Sequence, residues 1–137
     1  MYNKRLANDI DLGNLYQVVL DGKWTVDKLA EMTKDYSADL NSDGKMDDQD
    51  QWGLILDASF GNALYTGAGL DTVVRSDSAY TLSLDSAESI ALIDKCSDLF
   101  GDRKRYINDL DGSKNYAQIF REGRALFMDY TVLGVSN

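Results

Sequence analysis

Histidine and proline are both absent from this 137-residue chain, and cysteine occurs once. Without histidine, Ser-His-Asp and Cys-His catalysis and His-ligated metal sites are excluded. Without proline, the turns fall to glycine, Asp and Asn. A lone cysteine, Cys96, permits no internal disulfide, so cysteine usage says nothing of compartment. Within Ser89–Phe100, Leu92, Cys96 and Leu99 recur at helical spacing on one apolar face. Cys96 therefore reads as a small buried hydrophobe, since a reactive thiol needs an exposed, electropositive setting. No apolar run approaches the roughly 18 residues that a membrane span requires, so no membrane insertion of this segment is expected. The opening residues carry no signal-peptide pattern, and an exported parent is expected to hold its targeting segment outside this sequence.

What is present suits one folded domain over residues 1–137. Hydrophobic residues make up 44%, enough for a core that buries roughly two-thirds of the unfolded chain's surface. Charged residues, 27% of the chain, are spread along it rather than massed in a disordered tract. The excess of 23 acidic over 14 basic residues gives a net charge of −9. That surface repels nucleic acid and anionic membranes and suits cations or neutral ligands.

Periodicity predicts alternating helices and strands. Tyr2 to Ala7 reads as a short extended start running into a helix. Leu12, Leu15, Tyr16, Val19 and Leu20 follow an i, i+3, i+4 pattern closed by Gly22. Thr25 caps a second helix, with Asp27 at its positive end and Val26, Leu29, Ala30 and Thr33 inward, ending near Tyr36. Trp52 to Leu56 is a short apolar run of the kind a buried strand shows. Phe60 to Gly67 suggests a small helix, and 72–74 and 80–84 two strands around a polar turn. Asp85 or Ser86 caps the helix containing Cys96. Residues 101–115 read as a loop, with Asp109–Ser113 a turn inside it. Tyr116 to Phe120 forms a last helix stopped by Gly123, and Ala125 to Met128 a final strand. The expected class is α/β, several helices around a small sheet.

The most specific motif is the acidic run Asp39-Leu40-Asn41-Ser42-Asp43-Gly44-Lys45-Met46-Asp47-Asp48-Gln49-Asp50. Calcium takes roughly six to eight oxygen ligands, which an EF-type loop supplies from its first, third, fifth, seventh, ninth and twelfth positions. Those positions are Asp39, Asn41, Asp43, the carbonyl of Lys45, Asp47 and Asp50, with Gly44 where the chain must turn sharply. Asp replaces the usual Glu at the last position, and Met46 is apolar enough to anchor the loop to the core. The competing reading is a solvated Asx-rich turn. Against it, so many oxygens held close repel one another without a cation. Lying between a helix and a strand, the site would be structural, not a paired sensor.

Several segments, in their order and spacing, resemble the family 1 extracellular solute-binding proteins, the maltose-binding-protein-like group. Tyr2-Asn3-Lys4-Arg5-Leu6 is similar to the segment where that family's chain enters its second lobe. Gly22 to Leu29 resembles its Trp-Thr-x-Asp helix start. Asp39 to Gly53 resembles a calcium-loop variant followed by a Tyr-Gly-Leu strand, with Trp52 in the tyrosine's place. Phe120-Arg121-Glu122-Gly123-Arg124-Ala125-Leu126-Phe127 is similar to its Phe-x-x-Gly-Lys-Ala segment late in that lobe. The resemblance implies one lobe of a periplasmic-binding-protein type II-like fold, corresponding to the middle of a two-lobe plan. The first lobe, a lipid-anchored N-terminus and C-terminal return segments would lie elsewhere. It further implies no enzymatic activity, an extracellular lipoprotein parent, a solute such as an oligosaccharide, and an ABC permease as partner.

For a carbohydrate half-site, aromatic faces that stack on C–H surfaces are the candidates. Phe60, Tyr65 and Tyr130 stand in or beside expected loops, with ordinary packing as the alternative for each. Trp24 and Trp52 read as core. Two other functions fit parts of the sequence. A dockerin-like calcium-shaped interaction module would want a second complete loop. A glycoside-active fragment would want two facing carboxylates away from residues 39–50.

Overall fold

The computed structural model describes residues 1–109 and 116–129. It is a mixed α/β structure with small open sheets and helices. The helices are α1 (Lys4–Asp9), α2 (Leu15–Leu20), α3 (Val26–Thr33), α4 (Phe60–Gly67), α5 (Ala87–Gly101) and α6 (Ala117–Arg121). The strands are β1 (Trp52–Asp57), β2 (Val73–Arg75), β3 (Tyr80–Leu82), β4 (Tyr106–Asp109) and β5 (Ala125–Met128).

Strand β1 is the centre. It is parallel to β4 on one side and to β5 on the other, in the order β4-β1-β5. Its residues Trp52 through Leu56 are all buried, the continuous apolar run expected of a parallel strand covered on both faces. Leu54 and Leu56 join Leu29, Met32, Leu99, Tyr106 and Phe127 in the larger core cluster. Trp52 and Ile55 join Ile119, Ala125 and Met128 in a second. Each Leu, Ile, Phe or Met side chain among them contributes about 1.5–3 kcal/mol when fully buried. The extended N-terminal start lies antiparallel beside β5, with Asn3 N–H donating to the Leu126 carbonyl at 2.8 Å.

Local signals explain most helix boundaries. Asn3, Asn14, Thr25 and Ser86 each cap a helix with a side-chain oxygen on a first-turn N–H, each worth about 1 kcal/mol. Ser86 resolves the choice between it and Asp85. Gly22 and Gly123 end their helices at φ +67° and +74°, the left-handed region that glycine enters without strain. Cys96 is buried, and burial pushes its thiol above the usual range, as expected of an inert core residue.

Four expectations are corrected. Residues 106–109 form a strand within the expected loop 101–115: Tyr106 is buried, and the strand gains its ladder from β1 rather than from its own polar sequence. Trp24 is not core, because it leans on Phe127 at a centroid distance of 5.7 Å yet stays 40% exposed. Of the expected apolar face of α2, only Leu15 is buried, while Tyr16, Val19 and Leu20 stay exposed. Helix α3 also stops at Thr33, before Tyr36.

The crowding around β1 is testable at Gly53. A Cβ there would stand 2.9 Å from Thr33 Cβ and 3.1 Å from the backbone oxygens of Thr33 and Arg105. Gly53→Ala is expected to cost about 1–3 kcal/mol in urea unfolding. Gly61→Ala, in α4 with nothing within 4 Å, should be neutral or stabilising by up to about 1 kcal/mol. Equal stability of the two variants would contradict this packing.

Candidate metal loop

Residues 39–50 lead directly into β1, and their ends are tied together. Ala38 and Gln51 form an antiparallel bridge, each N–H donating to the other's carbonyl at 3.0 Å. The Gln51 side chain donates to the Tyr36 carbonyl at 2.8 Å, and Gly53 N–H donates to Ser37 Oγ at 3.0 Å. The chain between these ties therefore has to close into a ring.

Its carboxylates organise that ring. Asp39 accepts from Ser42 N–H at 2.6 Å and Gly44 N–H at 2.9 Å. Asn41 Oδ1 accepts from Asp43 N–H at 3.0 Å, and Asp43 Oδ1 from Lys45 N–H at 2.8 Å. Asp47 Oδ1 accepts from Gln49 N–H at 2.9 Å. Asp50, 0% exposed, accepts from Leu40 N–H at 2.9 Å on one oxygen and Asp47 N–H at 2.8 Å on the other. Ser42 and Gly44 take positive φ, +59° and +80°, so Gly44 stands at a turn that favours glycine. Met46 is half-buried against the second core cluster, the anchoring expected of it.

The donor chemistry fits a hard cation, with carboxylate, amide and carbonyl oxygens alone. An oxygen accepting one N–H keeps a further lone pair. Among the described residues, however, no three acidic side chains are gathered into a ready-made metal cluster. The carboxylates are spent on backbone N–H groups. The short Asp at the last position reaches Leu40 and Asp47 at once, which accounts for its place there.

Arg124 fastens the loop, a role that sequence reasoning passed over. Its Nη1 donates to the carbonyls of Asp48 and Asp50, both at 2.8 Å. Its Nε and Nη2 hold Glu122, whose carboxyl lies below the usual range through hydrogen bonds from Arg124 and Gln118. Trp52 supports the same side, with Nε1 donating to the Asp47 carbonyl at 2.7 Å. The residue before β5 lies beside the start of β1 only because the two strands pair in register, Trp52 with Ala125.

The ligand candidates lie elsewhere. Phe60 opens α4 just past the other end of β1 and packs half-buried on the larger core cluster. Tyr65 contacts Ser89 Oγ at 2.6 Å through its hydroxyl and lines an apolar pocket of about 280 Å³ with Leu64, Leu92, Ile93 and Cys96. Tyr130 lies outside the described residues, as does most of the Asp109–Ser113 turn. The loop and α4 are thus separated by the length of a six-residue strand, roughly 20 Å. Among the described residues no helix is long and apolar enough to cross a membrane. Comparison with protein-family models, curated proteins and solved structures finds no match.

Two substitutions probe the loop with calcium chelated. Asp50→Asn turns one acceptor into a donor facing an N–H, and Arg124→Ala strips two loop carbonyls of their partner. Each is expected to cost about 1–3 kcal/mol by urea unfolding. Arg124→Lys should recover only part of that, because one ammonium cannot reproduce the fork. Unchanged stability in both would mean that the loop is not fastened as described.

Proposed function

We propose that the chain is the central part of one lobe of an extracellular family 1 solute-binding protein, which delivers a small solute to an ABC importer. In this reading the fold is the periplasmic-binding-protein type II-like lobe and residues 39–50 form a structural calcium site. The observation that carries the reading is the loop itself. Oxygen-bearing side chains stand at every side-chain ligand position, the chain turns at Gly44 with positive φ, and both loop ends are tied to the start of β1. The order of the flanking motifs, from Tyr2-Asn3-Lys4 to Gly123-Arg124-Ala125, supports the family.

Calcium would be held by Asp39, Asn41, Asp43, Asp47, Asp50 and the Lys45 carbonyl. The ion would offset the mutual repulsion of four carboxylates. Its role would be to stiffen the junction between α3 and β1. The solute is a carbohydrate in this reading, with Phe60 and Tyr65 as stacking surfaces. A lobe of this kind closes on its partner lobe by hinge motion and docks on a permease. The acidic surface and the absence of histidine agree with binding rather than catalysis.

A thermal melt with calcium titrated against EGTA tests the reading, on wild type and Asp43→Ala. An ion that binds only the folded state adds about 2.7 kcal/mol at a hundredfold excess over its dissociation constant. A rise of several degrees in the wild type, lost in Asp43→Ala, is the expected result. No rise in either protein would reduce the loop to an acidic turn and remove the main support for the family.

A further inference from the structure

Helix α4 carries Phe60, Ala63, Leu64 and Tyr65, yet none of its residues is fully buried. Leu64 and Tyr65 instead line a cavity of about 280 Å³ together with Leu92, Ile93 and Cys96 of α5. Cys96 is a buried wall, while Ile93, 61% exposed, stands where the cavity opens to solvent. An apolar cavity of roughly 150 Å³ already holds benzene, so this one has room for a ring. Gly61 keeps that room open. It lines the cavity from α4, has no left-handed φ, and a Cβ there would meet nothing within 4 Å. Glycine is among the poorest helix formers, and neither backbone conformation nor close approach accounts for it here. What its missing side chain leaves is space.

The polar side chains at the cavity are already engaged. Tyr65 Oη pairs with Ser89 Oγ at 2.6 Å, and Ser89 Oγ donates to the Ser83 carbonyl at 3.0 Å. Ser89 is 0% exposed, so these hydroxyls hold the Tyr65 ring in place. Ser97 Oγ donates to the Asp94 carbonyl at 2.6 Å. Burial raises the Cys96 thiol above its ordinary range, which leaves the sulfur a soft, uncharged wall at neutral pH. Leu64, Leu92, the Tyr65 ring and that sulfur offer dispersion contact and little else. A charged ligand would lose its hydration there without a counter-charge. Sugar hydroxyls would find no unspent partner among these side chains.

We propose that the cavity between α4 and α5 binds a small, uncharged aromatic molecule of a single ring. The Tyr65 ring supplies an aromatic partner, offset or edge-on, and the Cys96 sulfur a second soft contact. The walls are set before any ligand arrives. Tyr65 is tied to Ser89, and α5 is anchored through Leu99, 0% exposed, in the larger core cluster. Little ordering is then left for binding to require. The inference does not rest on the solute-binding reading or on the calcium loop, which lies beyond the other end of β1.

Methyl correlation spectra by NMR, recorded on the whole chain with toluene, benzylammonium and glucose as probes, test it. Toluene should move the signals of Leu64, Leu92 and Ile93 along one saturable curve, and glucose should leave them in place. Gly61→Leu narrows the cavity without crowding the fold. Its Cβ has open space and leucine is the better helix former, so the variant should melt at or above wild type. Toluene should bind it at least about tenfold more weakly, the worth of burying about two methylene groups. Unchanged toluene affinity in this variant would put the ligand elsewhere and overturn the proposal. So would shifts that never saturate and spread to the exposed Val73, Val74 and Leu82, the mark of adsorption on apolar surface. Tighter binding of benzylammonium than of toluene would overturn the uncharged ligand in favour of a cation. A glucose response at these methyls would give Tyr65 to a saccharide instead, and silence towards toluene would remove the site. The calcium melt is independent of all these outcomes.

Discussion

Burial of β1 on both faces is the constraint on which the rest depends. A strand whose first five residues are all buried must find hydrogen-bond partners on both edges, because an unpaired backbone group in the interior costs as much as a lost hydrogen bond. β4 and β5 supply those partners. It also needs apolar cover on both faces. Leu29 and Met32 of α3 with Leu99 of α5 cover one cluster, and Ile119 of α6 the other. Gly53 shows how close that cover lies, since no side chain fits between it and Thr33.

Much of this was legible because it is local. The apolar run of β1, the caps at Thr25 and Ser86, and the glycines that close α2 and α6 each act within one turn of chain. β4 was not legible for the converse reason. Tyr106-Ile107-Asn108-Asp109 carries two polar residues in four and sits among Gly, Asp and Lys, so its own propensity favours a loop. Its strand character comes from β1, fifty residues away in sequence, and local pattern does not carry that pairing. The exposed face of α2 is the opposite failure. A helical period of Leu15, Tyr16, Val19 and Leu20 gives the face but not whether anything packs on it. Trp24 likewise joins an apolar segment yet rests at the rim, one face on Phe127 and the remainder in water.

The loop divides the same way. Residue types at alternating positions and the glycine at the turn are sequence facts, and the structure gives them their closed shape. The Ala38–Gln51 bridge and the Arg124 fork were hidden, because both depend on which strands are neighbours. The hydrogen bonds of Asp39 and Asp50 add something that composition could not. These carboxylates hold the loop's shape through its own N–H groups, so the loop has a reason to stay closed before any ion is considered. A cation would then add to an organised ring, and the ordering entropy would already have been met by the protein.

The two ends of β1 consequently carry different chemistry, and one strand joins them. At its beginning, the loop's carboxylates accept from backbone N–H groups, and Arg124 holds the loop's backbone carbonyls. At its end, Asp57 accepts from Ser59 N–H on Oδ1, and among the described side chains Asp129 Oδ2 is buried without a hydrogen-bond partner. A fold tolerates one such uncompensated group only where the surrounding strands are stable enough to hold it. The buried strand pair β1–β5, clamped at its start by Trp52 and Arg124, is that support. Local stability at the loop and unspent polarity at the far edge are thus two consequences of the same buried strand.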